Sequence, residues 1–125
     1  MKKKVVIIED DTWFAQTIAH ILQKSGWKVA LAKSGSKGID LIDEFSPDVV
    51  LLDMMLPEVA APALLNELQS YTDLAQLPIV ICTSMDMTQF SPDVLSSYGV
   101  KSVIDKAKNT PQDIVEALEH AIQQD

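Results

Sequence analysis

Residues 49–56 read Val49-Val50-Leu51-Leu52-Asp53-Met54-Met55-Leu56, with one carboxylate in otherwise apolar surroundings. A short apolar run that does not alternate with polar residues predicts a strand buried on both faces. A charge at the end of such a strand is costly unless something compensates it. Working outward, four further runs share this character: Val5-Val6-Ile7-Ile8, Val29-Ala30-Leu31-Ala32, Ile79-Val80-Ile81-Cys82 and Ser102-Val103-Ile104. Between and after them lie segments with helical spacing, led by Phe14, Ile18, Ile21 and Leu22, then by Ile39, Leu41, Ile42 and Phe45. Leu64, Leu65 and Leu68 mark a third, Val94, Leu95 and Tyr98 a fourth, and Ile114, Val115, Leu118 and Ile122 a fifth. Strand and helix thus alternate five times, which predicts an α/β fold: a doubly wound parallel sheet with right-handed crossovers and helices on both faces.

Local punctuation agrees with these boundaries. Ser25-Gly26 closes the first helix, and Thr110-Pro111 and Ser91-Pro92-Asp93 each offer an N-cap followed by proline at N1. Because proline is costly inside a helix, Pro92 predicts an extended loop over about residues 84–91 and a short helix after it. Asp11 precedes an apolar-periodic helix and is expected to cap it.

The 125 residues suit one domain, spanning 1–125. Ten Lys and Arg against 18 Asp and Glu give a formal charge of −8, the wrong sign for a module that holds nucleic acid directly. No apolar stretch reaches the roughly 18 to 20 residues that span a membrane. The lone Cys82 can form neither an internal disulfide nor a Cys-rich zinc site, and inert burial is expected of it. Lys2, Lys3 and Lys4 precede too brief an apolar run to be a signal peptide, so a cytoplasmic location is expected.

Open parallel sheets bind ligands beyond the carboxyl ends of their strands, and the polar residues collect there. The first strand runs into Glu9-Asp10-Asp11, the third into Asp53, the fourth into Thr83-Ser84 and the fifth into Asp105-Lys106. Asp53 taken alone could cap a loop or pair with Lys106. Clustering it with Glu9 and Asp10 is harder to explain structurally, since two carboxylates about 5 Å apart repel by roughly 3 kcal/mol at an effective dielectric near 20. A divalent cation resolves that conflict. A few hard oxygen ligands, with room for water and phosphate oxygens, suit Mg2+ better than a soft metal or an all-protein Ca2+ cage.

With these residues in place, the chain resembles the receiver domains of two-component response regulators over essentially its whole length. Glu9-Asp10 is similar to the family's acidic pair, Asp53 to its phosphoacceptor, Thr83 to its hydroxyl after the fourth strand, Lys106 to its strand-five lysine, and Pro57 to the proline four residues past the acceptor. The resemblance implies the flavodoxin-like strand order 2-1-3-4-5. It also implies that Asp53 takes a phosphoryl group from a phosphohistidine on a sensor histidine kinase or phosphotransfer protein. Asp10, Asp53, the backbone carbonyl of Met55 and, through water, Glu9 would hold Mg2+. Lys106 and Thr83 would contact phosphoryl oxygens, and the receiver would signal to a downstream protein or fused output domain. Such a chain is a signalling module rather than an enzyme, catalysing only its own phosphorylation and slow dephosphorylation.

Rival readings of the same residues fare less well. A flavin phosphate after the first strand would meet Glu9-Asp10-Asp11, which repels it. A dehalogenase-type hydrolase needs a second Asp where Met55 stands, and a helical phosphotransfer bundle would not contain five β-rich runs. The serious rival is a receiver that binds a partner without being phosphorylated. Lys33-Ser34-Gly35-Ser36-Lys37-Gly38 lacks phosphate-loop spacing and is expected to lead into the second helix; His20 and His120 are expected at the surface. The chain departs from the family pattern at Val103, where many receivers carry an aromatic, at Ala107, where proline is usual, and at Ala61, where glycine is common.

Overall fold

The computed structural model describes residues 2–57, 61–70 and 77–123, with side chains described at 63–68 within the middle stretch. Five strands, β1 (Lys4–Ile8), β2 (Lys28–Ala32), β3 (Val49–Leu52), β4 (Ile79–Thr83) and β5 (Val100–Asp105), alternate with five helices, α1 (Thr12–Lys24), α2 (Gly35–Phe45), α3 (Ala61–Ser70), α4 (Pro92–Ser97) and α5 (Pro111–Gln123). The strands are parallel throughout and lie in the order β2-β1-β3-β4-β5. This is the doubly wound sheet expected from the alternation.

Successive side chains of a strand point to opposite faces, and the core divides accordingly. Val6, Ile8, Val50, Leu52, Ile79 and Ile81 face Ile39 and Ile42 of α2, Leu64, Leu65 and Leu68 of α3, and Leu95 of α4. Val5, Ile7, Val49, Leu51, Val80 and Cys82 face Ile18 and Leu22 of α1 and Ile114, Val115 and Leu118 of α5. Each fully buried Leu or Ile contributes on the order of 1.5–3 kcal/mol. Gly38 permits the close approach of α2, because a Cβ there would overlap the side chain of Ile8.

Burial on both faces holds for β1, β3 and β4, but not for all five runs as expected. In β2 only Ala32 is buried, and Leu31 is 41% exposed; in β5 Val103 is 42% exposed. These two strands close the sheet at its edges, where the helices cover less of each face. β5 also carries Lys101, Ser102 and Asp105, and β2 opens on Lys28, polar residues that the short apolar runs taken alone leave out.

The caps fall where side-chain chemistry requires them. Asp11 accepts the Phe14 N–H, Ser91 accepts the Val94 N–H, and Thr110 and Asp113 bond to each other's backbone N–H groups. Residues 84–91 form a loop and α4 starts at Pro92, as the proline predicts. Gly26 takes φ +92° just beyond α1, a conformation that glycine adopts without steric cost.

Candidate functional site

The carboxyl ends of β1, β3, β4 and β5 bring Glu9, Asp53, Thr83 and Lys106 together. Register places Ile8 beside Leu52, and the Asp53 N–H donates to the Ile8 carbonyl, so the acidic pair and Asp53 emerge side by side. The Lys106 N–H in turn donates to the Thr83 carbonyl. Glu9, Asp53 and Thr83 are the three buried polar residues among those described, and all three lie at this edge.

Lys106 links the two buried acids. Its ammonium donates to Glu9 Oε1 at 2.5 Å and to Asp53 Oδ2 at 3.2 Å, with the lysine side chain 18% exposed. The other oxygens are held by backbone: Met55 N–H donates to Asp53 Oδ1 at 3.0 Å, and Asp11 N–H to Glu9 Oε2 at 3.1 Å. Thr83 Oγ1 accepts the Met85 N–H at 3.2 Å, and its hydroxyl is among the groups that stabilise the Asp53 carboxylate.

The two acids differ in protonation. Burial pushes the Glu9 carboxyl up to about 7, helped by the Asp53 charge and opposed by the bonds to Lys106 and Asp11. Burial acts on Asp53 in the same direction, yet the bonds from Met55, Thr83 and Glu9 and the Lys106 charge outweigh it and hold Asp53 below the usual carboxylate range. Asp53 therefore remains ionised at neutral pH. Burial likewise raises the Cys82 thiol to about 12, which disfavours the thiolate, the reactive form.

Asp10 is exposed, and one oxygen from each of Glu9, Asp10 and Asp53 lies within 4.8 Å of the others. Three carboxylates against one ammonium leave an excess of acidic groups that an additional cation would balance. The donor set is all oxygen with one side open to solvent, which fits Mg2+ better than a metal requiring thiolate or imidazole.

Two methionines flank the acids in unequal ways. Met55 is 53% exposed beside Asp53, whereas Met85 is half-buried and packs against the core. Met85 also lines a groove of about 620 Å³ with Thr83, Phe90, Leu95 and Val103. Asp11 acts as the expected cap, and His20 and His120 are exposed. Phe14 belongs to the site although its spacing suggested only a core-facing residue: the Lys106 ammonium lies 4.3 Å from its ring centroid. One signal pointed there, since Phe14 lies in the first turn of α1, directly after Glu9-Asp10 and the Asp11 cap.

This chain belongs to the response regulator receiver domain family, whose sequence profile matches residues 5–119. It is similar to the polar-differentiation response regulator DivK of Brucella ovis, with 27% identity over 112 residues that span 90% of each chain. It is also similar to the beryllofluoride-activated N-terminal receiver domain of Klebsiella pneumoniae RstA, at TM-score 0.82 and 30% identity, covering 98% of this chain and all of that one. A CheY-like receiver from Methanospirillum hungatei superposes at TM-score 0.85 with 21% identity, covering 98% of this chain and 94% of the other. That last likeness bears on the fold alone.

Proposed function

We propose that residues 1–125 act as one phosphoacceptor domain of a two-component relay, in which Asp53 receives a phosphoryl group from a phosphohistidine of a sensor histidine kinase or phosphotransfer protein. The carrying observation is a buried Asp53 carboxylate bonded to Lys106 at 3.2 Å and grouped with Glu9 and Asp10. A buried carboxylate kept charged is an available nucleophile. The beryllofluoride-activated Klebsiella relative is a precedent for a receiver of this fold that takes a phosphoryl mimic.

In the transfer, a carboxylate oxygen of Asp53 forms a bond to phosphorus as the phosphorus–nitrogen bond of the donor breaks, and the imidazole nitrogen leaves with that electron pair. Lys106 neutralises charge on the phosphoryl oxygens, and the Thr83 hydroxyl donates to another of them. Asp10, Asp53, the Met55 backbone carbonyl and, through water, Glu9 would hold Mg2+. When bound, the cation supplies charge neutralisation between the carboxylates and the incoming phosphate.

The charge added at Asp53 draws Thr83 toward it, and Thr83 lines the groove between the 84–91 loop and β5. That groove is the route by which the event reaches a downstream protein or a fused output domain. No direct nucleic-acid or membrane contact is proposed for an acidic domain of this kind; among the described residues no helix is long and apolar enough to cross a membrane. As for response regulators generally, the proposed location is the cytoplasm. Activity is confined to phosphorylation and slow dephosphorylation of the chain itself.

Incubation with acetyl phosphate and Mg2+ followed by intact mass tests the proposal. A gain of about 80 Da that chelator and Asp53→Ala both abolish is expected. No adduct from acetyl phosphate or from a phosphorylated kinase would favour a receiver that binds partners without being phosphorylated.

A further inference from the structure

The Lys106 ammonium has a third neighbour besides its two carboxylates. Its nitrogen lies 4.3 Å from the centroid of the Phe14 ring, well within the roughly 6 Å over which an aromatic face attracts a cation. A chain of three hydrogen bonds links the Phe14 backbone to the same lysine. Phe14 N–H donates to Asp11 Oδ1 at 3.1 Å, Asp11 N–H donates to Glu9 Oε2 at 3.1 Å, and Glu9 Oε1 accepts from Lys106. The start of α1 and the end of β1 thus set the ring's place relative to the lysine.

We propose that Phe14 is a positioning residue for phosphoryl transfer, its ring face holding the Lys106 ammonium at the Asp53 carboxylate through cation–π attraction. The inference rests on the phosphoacceptor reading of Asp53 and concerns what keeps Lys106 in place during the reaction. Both carboxylate contacts of Lys106 change in that reaction. Asp53 becomes an acyl phosphate, so its negative charge moves outward to the phosphoryl oxygens, and Glu9 is needed by the cation. The Phe14 ring changes neither charge nor protonation. It also offers no lone pair in competition with phosphate, so the N–H donors now bonded to Glu9 and Asp53 can be passed to the phosphoryl oxygens while the ring contact persists. Because the lysine is only 18% exposed, water competes little with the ring, which places the attraction toward the stronger part of its range.

Phe14 also packs beside Ile18 and Leu22 against the sheet, a role that any apolar side chain of similar size could fill. The experiment must therefore separate shape from the electrostatics of the ring. Phosphorylation of the full chain by acetyl phosphate is timed at saturating Mg2+ for wild type, Phe14→Leu, Phe14→Tyr and a chain carrying pentafluorophenylalanine at position 14, with a thermal melt of each. Phe14→Leu and the fluorinated chain are expected to react about three- to tenfold more slowly, and Phe14→Tyr within about twofold of wild type. The fluorinated ring keeps its shape and reverses its quadrupole, so it carries the test if Phe14→Leu fails to fold. A fluorinated chain that reacts at the wild-type rate would overturn the proposal while leaving the phosphoacceptor reading intact. No adduct on wild type would overturn that reading, and this proposal with it.

Discussion

Lys106 Nζ lies 3.2 Å from Asp53 Oδ2 across a strand register that places Thr83 beside Asp105, so the ammonium already sits at the carboxylate on which a phosphoryl group would form. The same ammonium is bonded to Glu9, and the consequences of that sharing can be measured.

Removing the cation should be expensive. Lys106→Met leaves two buried carboxylates facing each other, and breaking a buried ion pair on one side typically costs about 3–5 kcal/mol. Chemical denaturation at pH 8 should show a loss of this order. At pH 5 the loss should shrink, because Glu9 can then carry a proton and one of the stranded charges disappears.

In chelator, the stability of the wild-type fold should fall as pH rises from about 4.5 to 7. Glu9 has a folded value of about 7 against an ordinary 4.5, so the native state binds its proton more tightly than the unfolded chain does. The resulting stability is fully present below 4.5 and lost through 7, on the order of 3 kcal/mol. Asp53 works in the opposite direction: its folded value is lowered from 3.8, so its contribution is present above 3.8 and lost as pH falls through the lower folded value. Urea titrations across pH 3–8 would show both limbs, and a stability that is flat between pH 5 and 7 would contradict the Glu9 assignment. Added Mg2+ should remove most of the upper limb, since a bound cation favours the ionised acid.

Neutralising the acids should separate them. Mutual repulsion alone would have both Asp10→Asn and Asp53→Asn stabilise the metal-free fold, but Asp53 makes favourable bonds to Lys106 and Met55. Asp10→Asn should therefore stabilise the fold in chelator, seen as a higher melting point, by about 1 kcal/mol at most because Asp10 is exposed and screened. Asp53→Asn should not raise it. Glu9→Gln should be the more stabilising change at pH 8.

Much of the site was legible because parallel topology sends every strand's carboxyl end to one edge. Once Asp53, Thr83 and Lys106 are recognised as strand ends, their convergence follows without knowledge of any contact. The unequal protonation of Glu9 and Asp53 was not legible, for it depends on which backbone N–H groups reach each oxygen. Nor was the Lys106–Glu9 bond, which joins residues 97 apart in the chain. Phe14 escaped because helical periodicity accounts for an apolar residue whether it meets a leucine or an ammonium. Exposure of Leu31 and Val103 was hidden for a related reason: a short apolar run does not say whether its strand lies at the edge or the centre of the sheet, although the polar Lys101, Ser102 and Asp105 of β5 were a sign of the edge.

The acyl phosphate should be long-lived, with a half-life above about a minute at 25 °C, corresponding to a barrier above roughly 20 kcal/mol. Met55, two residues after Asp53, and Met85, two after Thr83, offer no group able to orient or deprotonate an attacking water. Their unequal placement adds a ranking. Met55 lies exposed beside the acid and Met85 packs inward, so Met55→Asn should speed phosphate loss more than Met85→Glu. Two carboxylates close in sequence could position a water in the methionines' place: Asp86 is exposed, with its carboxylate bonded to the Thr88 N–H, which ties it to its own loop, and Glu58 lies outside the described residues. Acid-quench time courses would reveal the order, and a half-life of seconds unchanged by either substitution would show that the methionines do not control the reaction.

Reductive trapping tests the central claim most directly. After acetyl phosphate and Mg2+, borohydride converts an aspartyl phosphate to homoserine, and fragmentation of the peptide containing Val49 to Leu56 reads the residue at which the change occurred. Homoserine at position 53, absent with chelator and absent without donor, is the predicted result. An unmodified Asp53 in a chain that has gained phosphate elsewhere, or a chain that gains none, would contradict the account.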